Sequence, residues 1–254
     1  MNRGDLKAGD RICKYTGGST GTSIAFAASI LGLNFTAVSS SAFSPAKLQA
    51  IRSYGAQVVL VESSDGKLNP ELFRRMKDKV QEIAVSEGSF YFDQFSSPDV
   101  RPSYDAIGSE ISEQIGGKVD AYCAAVGTGG SLMGAIDGFA VSGMNLDVYA
   151  LEPTQSPMLT TGKSGGHMVE GIALGLVPPF LDLSLVEGVR AINQDAGFEM
   201  CRRLAKEEGI LAGGSTGLNV VAALAITKEM GPGKRVVTVG GDNGIKYLGG
   251  HIYS

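Results

Sequence analysis

Four glycine-rich stretches carry residue types that can hold a small anion. Thr16-Gly17-Gly18-Ser19-Thr20-Gly21 stands between a short apolar strand at 11–13 and an apolar helix starting at Thr20. Backbone N–H groups at a helix N-terminus, bare at the glycines and joined by three hydroxyls, form a cradle for a carboxylate or a phosphate. Val126-Gly127-Thr128-Gly129-Gly130-Ser131 repeats the arrangement between an apolar strand at 121–126 and a helix starting at Leu132. Gly213-Gly214-Ser215-Thr216-Gly217 precedes a third apolar helix, and Gly240-Gly241-Asp242-Asn243-Gly244 follows a strand at 235–239. The second loop lacks the Gly-Lys-Ser/Thr of a P-loop, and its glycines do not complete GxGxxG. Any one of these loops also suits plain strand-to-helix packing. Four together, at least three of them at strand ends leading into helices, point to a crevice outside the carboxyl ends of parallel strands.

The elements that must position these loops alternate along the chain. Short β-branched runs fall at 35–39, 58–61, 121–126, 148–151 and 235–239, and helix-period segments at 20–31, 44–54, 70–87, 104–115, 196–208 and 216–230. Such alternation predicts βαβ units and parallel sheet. Gly32 and Gly116 directly follow helix-period segments, where a left-handed cap is expected, and Ser44-Pro45 opens a helix as N-cap and first-turn proline. The polar Ser96-Ser97-Pro98-Asp99 stretch predicts a domain boundary, with a smaller domain at 1–97 and a larger one at 98–254.

Composition narrows the ligand. With 22 Lys+Arg against 26 Asp+Glu, the net charge of −4 offers no basic field for nucleic acid or an anionic membrane surface. The apolar stretches 24–33 and 218–226 fall short of the ~18 residues that span a bilayer. Cys13, Cys123 and Cys201 make no CxxC pair and read as small core residues in a reducing, cytoplasmic compartment. His167 and His251 are too few for a His-rich metal site, so no metal is expected. A small molecule is the expected partner.

With these landmarks in order, the chain resembles the cysteine synthase and cystathionine β-synthase-like branch of the tryptophan-synthase-β type (fold type II) of pyridoxal-phosphate enzymes. The motifs are TGGSTG at 16–21, LQAIRSYGAQVVLV at 48–61, DQF at 93–95, VGTGGSLMG at 126–134, EP..SP at 152–157, EGIALGLVP at 170–178 and GGSTG at 213–217. The resemblance implies an α/β fold of two three-layer αβα domains with mainly parallel sheets, and pyridoxal 5'-phosphate as cofactor. It implies that Gly127, Thr128, Gly129, Gly130 and Ser131 grip the cofactor phosphate, that Ser215 faces the pyridine nitrogen, and that Ser19 lies beside the phenolic oxygen. A neutral hydroxyl at the pyridine nitrogen leaves the ring a weaker electron sink, which suits β-elimination and β-replacement on a serine derivative. Thr16, Gly17, Gly18, Ser19 and Thr20 are implied to bind the substrate α-carboxylate, with Gln94 completing that clamp. The family also implies a homodimer and an amino-acid substrate.

Three positions depart from the family pattern. Relatives carry a Schiff-base lysine in a Ser-x-Lys-Asp-Arg stretch upstream of the first glycine loop, and no such stretch occurs here. This predicts an N-terminally incomplete smaller domain with no catalytic lysine in the chain. Lys14, two residues before the loop, is expected to be a solvated strand residue. Ser19 stands where most members carry asparagine, and Gly17 where a serine is common. Two readings stay open at this level: a β-replacement enzyme taking an O-acetylserine-like substrate and sulfide to cysteine, or an impaired fragment or non-catalytic cofactor-binding or interaction subunit of the same fold.

Overall fold

A computed structural model of the chain describes residues 4–43, 45–63 and 70–254. The expected N-cap Ser44 lies outside the described residues. The chain divides into two compact units, Met1–Asp93 and Gln94–Ser254.

The first unit runs β1 (Arg11–Tyr15), α1 (Ser19–Leu31), β2 (Asn34–Ser39), α2 (Pro45–Ser53), β3 (Gln57–Leu60), α3 (Pro70–Glu87) and β4 (Phe90–Tyr91). Its sheet has the order β3-β2-β1-β4, with every pair parallel. Successive residues of a strand point to opposite faces, and here both faces are covered. Ile12, Phe35 and Ala37 pack with Ala25, Ala28 and Ile51 of α1 and α2, whereas Cys13 and Val38 pack with Leu72, Met76 and Val80 of α3.

The second unit runs α4 (Asp105–Ile115), β5 (Ala121–Ala125), α5 (Gly130–Val141), β6 (Asp147–Pro153), α6 (Met158–Thr161), β7 (Gly188–Ile192), α7 (Gln194–Glu207), α8 (Gly214–Met230) and β8 (Val236–Thr238). Its sheet order is β7-β6-β5-β8, again parallel throughout. Tyr122, Ala124 and Val148 pack with Leu132 and Phe139 on one face, and Ala121, Cys123 and Leu151 pack with Phe198, Cys201 and Leu218 on the other. Each unit is therefore a three-layer αβα sandwich around a parallel sheet, the architecture expected from the alternation of elements. All three cysteines are free and buried.

Strand order decides where a ligand can enter. In the first sheet the chain moves outward from β1 to β2 and β3, then returns to place β4 on the other side of β1. In the second it moves from β5 to β6 and β7, then returns to place β8 beside β5. Loops leaving neighbouring strands at such a reversal turn to opposite faces and open a crevice at the carboxyl edge. The loop after β1 is Thr16–Gly18, the loop after β5 is Val126–Gly129 and the Gly240–Gly244 loop follows β8, so three of the four glycine loops follow a strand at the reversal of their own sheet.

Candidate functional site

The loop after β5 is built so that only glycine fits at its turning points. A Cβ on Gly127 would collide with the Gly171 carbonyl oxygen, one on Gly130 would come within 2.5 Å of Val100 Cγ1, and Gly129 has φ +83°. Gly129 is the N-cap of α5, with no side-chain cap and no acidic residue in the first turn. The first N–H groups of a helix have no partner inside it, and their partial positive charge favours an anion. Here Thr128 Oγ1 accepts from Gly130 N at 3.3 Å. Ser131 follows in the first turn, half-buried. The contrast with α7 is instructive: there Asn193 caps the helix through its side chain, accepting from Asp195 N at 2.7 Å and Ala196 N at 3.4 Å.

The start of α8 lies on the same carboxyl edge of the second sheet. Its N-cap is Gly213, again with no side-chain cap and no acidic first-turn residue. Gly213 leaves room for the Asp242 carboxylate, which would clash with any Cβ there. The Tyr247 hydroxyl donates to Asp242 Oδ2 at 2.8 Å, and burial beside that carboxylate raises the tyrosine's pKa. Thr216 Oγ1 accepts from Gly241 N at 3.1 Å, tying α8 to the loop after β8. Ser215 is half-buried in the first turn of the helix.

Asn219 fixes this arrangement and escaped the reading of the sequence. It is 3% exposed; its Oδ1 accepts from Ala125 N at 2.8 Å and its Nδ2 donates to Val239 O at 2.9 Å. One amide thus bridges the carboxyl ends of β5 and β8 across the reversal, where the two loops diverge. The signal available was a lone asparagine inside the apolar run 218–226. Asn219→Ala leaves the Ala125 N–H and the Val239 C=O, both on half-buried residues, without this partner and is expected to lower unfolding free energy by about 2 kcal/mol, read from urea midpoints.

The loop after β1 forms a separate cradle in the first unit. Thr16 is buried and donates its N–H to Val38 O at 2.8 Å. A Cβ on Gly17 would run into the Phe43 ring, so any side chain there, such as the common serine, would have to displace that ring. Gly18 is the N-cap of α1, with no side-chain cap, and Ser19 and Thr20 occupy the first turn. The Lys47 ammonium lies 3.9 Å from where a Gly18 Cβ would be, adding positive charge beside this turn. Gln94, the first residue of the second unit, lies in a turn and is half-buried.

Lys14 corrects one expectation. It is not a solvated strand residue: its side chain is 2% exposed, because β1 is flanked by β2 and β4 and covered on both faces. Its Nζ donates to Phe92 O at 3.2 Å and lies 5.2 Å from the Phe92 ring centroid. Burial lowers its pKa to about 8, partly opposed by the nearby Asp93 carboxylate. Alternation of exposure along a strand fails as a guide where the strand is internal to a parallel sheet.

Among the described residues no group of three or more His, Cys, Asp or Glu could hold a metal ion, and no helix is long and apolar enough to cross a membrane.

The family described as pyridoxal-phosphate dependent enzyme matches residues 2–241. Cysteine synthase of Staphylococcus aureus is 35% identical over 254 residues, covering 99% of this chain and 80% of its own length. O-ureido-L-serine synthase of Streptomyces lavendulae is 33% identical, covering 99% of this chain and 76% of that protein. In three dimensions, O-acetylserine sulfhydrylase isoform 3 of Entamoeba histolytica superposes with a TM-score of 0.90 at 28% identity, covering 99% of this chain and 74% of that one.

Proposed function

Because the chain belongs to the family of pyridoxal-phosphate dependent enzymes, we propose that it catalyses β-replacement on an activated L-serine such as O-acetylserine, with sulfide as the nucleophile and cysteine as the product. The observation that carries this reading is the uncapped N-terminus of α5 at the β5/β8 reversal, behind glycines whose side-chain space is taken by backbone and by Val100. Such donors suit an anionic group such as the cofactor's phosphate, and an apolar ligand would leave them unpaired.

When bound, the cofactor supplies an electron sink that weakens the substrate's Cα–H bond and lets the β-substituent leave. The chain's own residues do the holding. Gly127, Thr128, Gly129, Gly130 and Ser131 would grip the phosphate through N–H groups and hydroxyls. The Ser215 hydroxyl would donate to the pyridine nitrogen without protonating it, which keeps the ring a modest sink and favours departure of a β-group. Ser19 would donate to the phenolic oxygen. Thr16, Gly17, Gly18, Ser19 and Thr20 would hold the substrate carboxylate at the start of α1, with Gln94 adding an amide donor. The smaller domain, 1–97, then carries substrate recognition and the larger, 98–254, the cofactor. Relatives named cysteine synthase and O-ureido-L-serine synthase share this framework, so the nucleophile is the finer part of the proposal. The working form is a homodimer in the cytoplasm.

The test is direct. The purified chain is incubated with pyridoxal phosphate, dialysed, and its visible absorption recorded; borohydride reduction followed by peptide mass mapping finds any lysine that bonded to the aldehyde. A retained band that shifts on adding O-acetylserine, together with cysteine formed on adding sulfide, is the expected result. Retention of the cofactor with no change on adding any O-substituted serine would end the β-replacement reading.

A further inference from the structure

The wall against which the phosphate loop rests contains the one non-glycine residue with positive φ among those described, Ala173 at +46°. A side chain disfavours that conformation, so something outside the residue must hold it there. Both of its backbone polar groups are occupied. Its N–H donates to Val126 O at 2.9 Å, and its carbonyl oxygen lies 3.0 Å from His167 Nε2. Val126 is the last residue before Gly127, and the Gly171 carbonyl, two residues before Ala173, occupies the space of a Gly127 Cβ. Segment 171–173 therefore sets where the loop leaves β5.

His167 is placed for one task. Its Nδ1 is buried with no hydrogen-bond partner, so the ring's polar contact is the one from Nε2, which must carry a proton to meet a carbonyl. The next residue is anchored independently: Met168 N donates to Gln194 Oε1 at 2.8 Å, and Val169 is 1% exposed in the core. The histidine thus reaches from a fixed point across a short loop to the strained alanine.

We infer that His167 is a positioning residue for the cofactor: by bonding the Ala173 carbonyl it holds that residue in its left-handed conformation, and through Val126 it aims the N–H groups of Gly127–Ser131. The inference rests on the proposed phosphate-binding role of that loop, but its structural half can be measured without ligand. The chain links one donor, one strained residue and one loop, so removing the donor and relieving the strain should compensate for each other.

Three variants test it in the full chain. His167→Gln keeps an amide N–H at the reach of Nε2, His167→Asn places its amide too short, and Ala173→Gly removes the need for a latch. Deuterium exchange of the unliganded protein over peptides 126–132 and 170–176 is expected to accelerate about tenfold in His167→Asn, to match wild type in His167→Gln, and to return towards wild type in His167→Asn/Ala173→Gly. The dissociation constant for pyridoxal phosphate should follow the same order, about tenfold weaker for Asn alone. Wild-type exchange in His167→Asn, or no recovery in the double variant, overturns the inference. Altered exchange with no uptake of pyridoxal phosphate by wild type would leave the latch standing and refute the proposed function instead.

Discussion

Gly127→Ala is expected to weaken retention of pyridoxal phosphate by at least about a hundredfold, because the added methyl has nowhere to go. Its Cβ would overlap the Gly171 carbonyl oxygen, a backbone atom that cannot rotate away as a side-chain tip can. The neighbouring segment cannot yield cheaply, since Ile172 is 6% exposed in the core and the Ala173 N–H is bonded to Val126 O. The loop must therefore move, and the donors at the start of α5 move with it. Loss of two charge-assisted hydrogen bonds at about 1.5–3 kcal/mol each corresponds to a factor of a hundred or more. Gly166→Ala is the matched control: its Cβ would meet nothing within 4 Å, so it tests whether any extra methyl near this region has the same effect. Equilibrium dialysis of the three proteins against pyridoxal phosphate reads the difference, with urea midpoints recorded beside it. Wild-type affinity in Gly127→Ala would mean that the phosphate lies elsewhere.

The position of that loop was legible in the sequence, and the reason is local. Glycines between an apolar strand and an apolar helix describe both a conformation and an anion site, and Thr16–Gly21 and Val126–Ser131 each contain the whole signal within six residues. The same holds for the layers, since the alternation of strand-period and helix-period segments needs no long-range knowledge. Ends of elements were less legible. The helix expected from Leu132 begins at Gly130 and the one expected from Thr216 begins at Gly214, because glycines read as loop residues also serve as the first turn. Strands β4 and β7 gave little signal, being only two residues long in one case and largely half-buried in the other.

What the sequence withheld depends on pairings across many residues. Asn219 earns its role only because β8 returns to lie beside β5, a neighbourhood fixed by strand order. The link from His167 to Ala173 spans six residues, yet nothing in Gly165-Gly166-His167 distinguishes a latch from a plain loop histidine. Lys14 shows the same limit most clearly. Its burial follows from β4 pairing with β1 nearly 80 residues later in the chain; Lys14 and its partner Phe92 are 78 residues apart.

Lys14→Met is expected to stabilise the fold at neutral pH, by about 2 kcal/mol. A lysine whose pKa falls from 10.5 to about 8 on folding binds fewer protons in the folded state than in the unfolded state between those values. Below pH 8 both states are protonated and the folded chain carries the whole cost of a buried ammonium, about 3 kcal/mol for a shift of that size. The cost shrinks as pH rises from 8 to 10.5, and above that both states are neutral and it vanishes. Methionine fills similar volume without the charge, but it forfeits the bond to Phe92 O, worth about 1 kcal/mol, hence the net gain of about 2. The gain should accordingly decline across pH 8–10.5 and end as a small loss. Burial pushes the Cys13 and Cys123 thiols up to about 11, so both proteins lose stability above pH 9 as unfolded thiols ionise, and that shared trend cancels in the difference. Urea denaturation of the two proteins at pH 7, 8.5 and 10 reads the curve; a difference that does not change with pH would show that Lys14 is not desolvated.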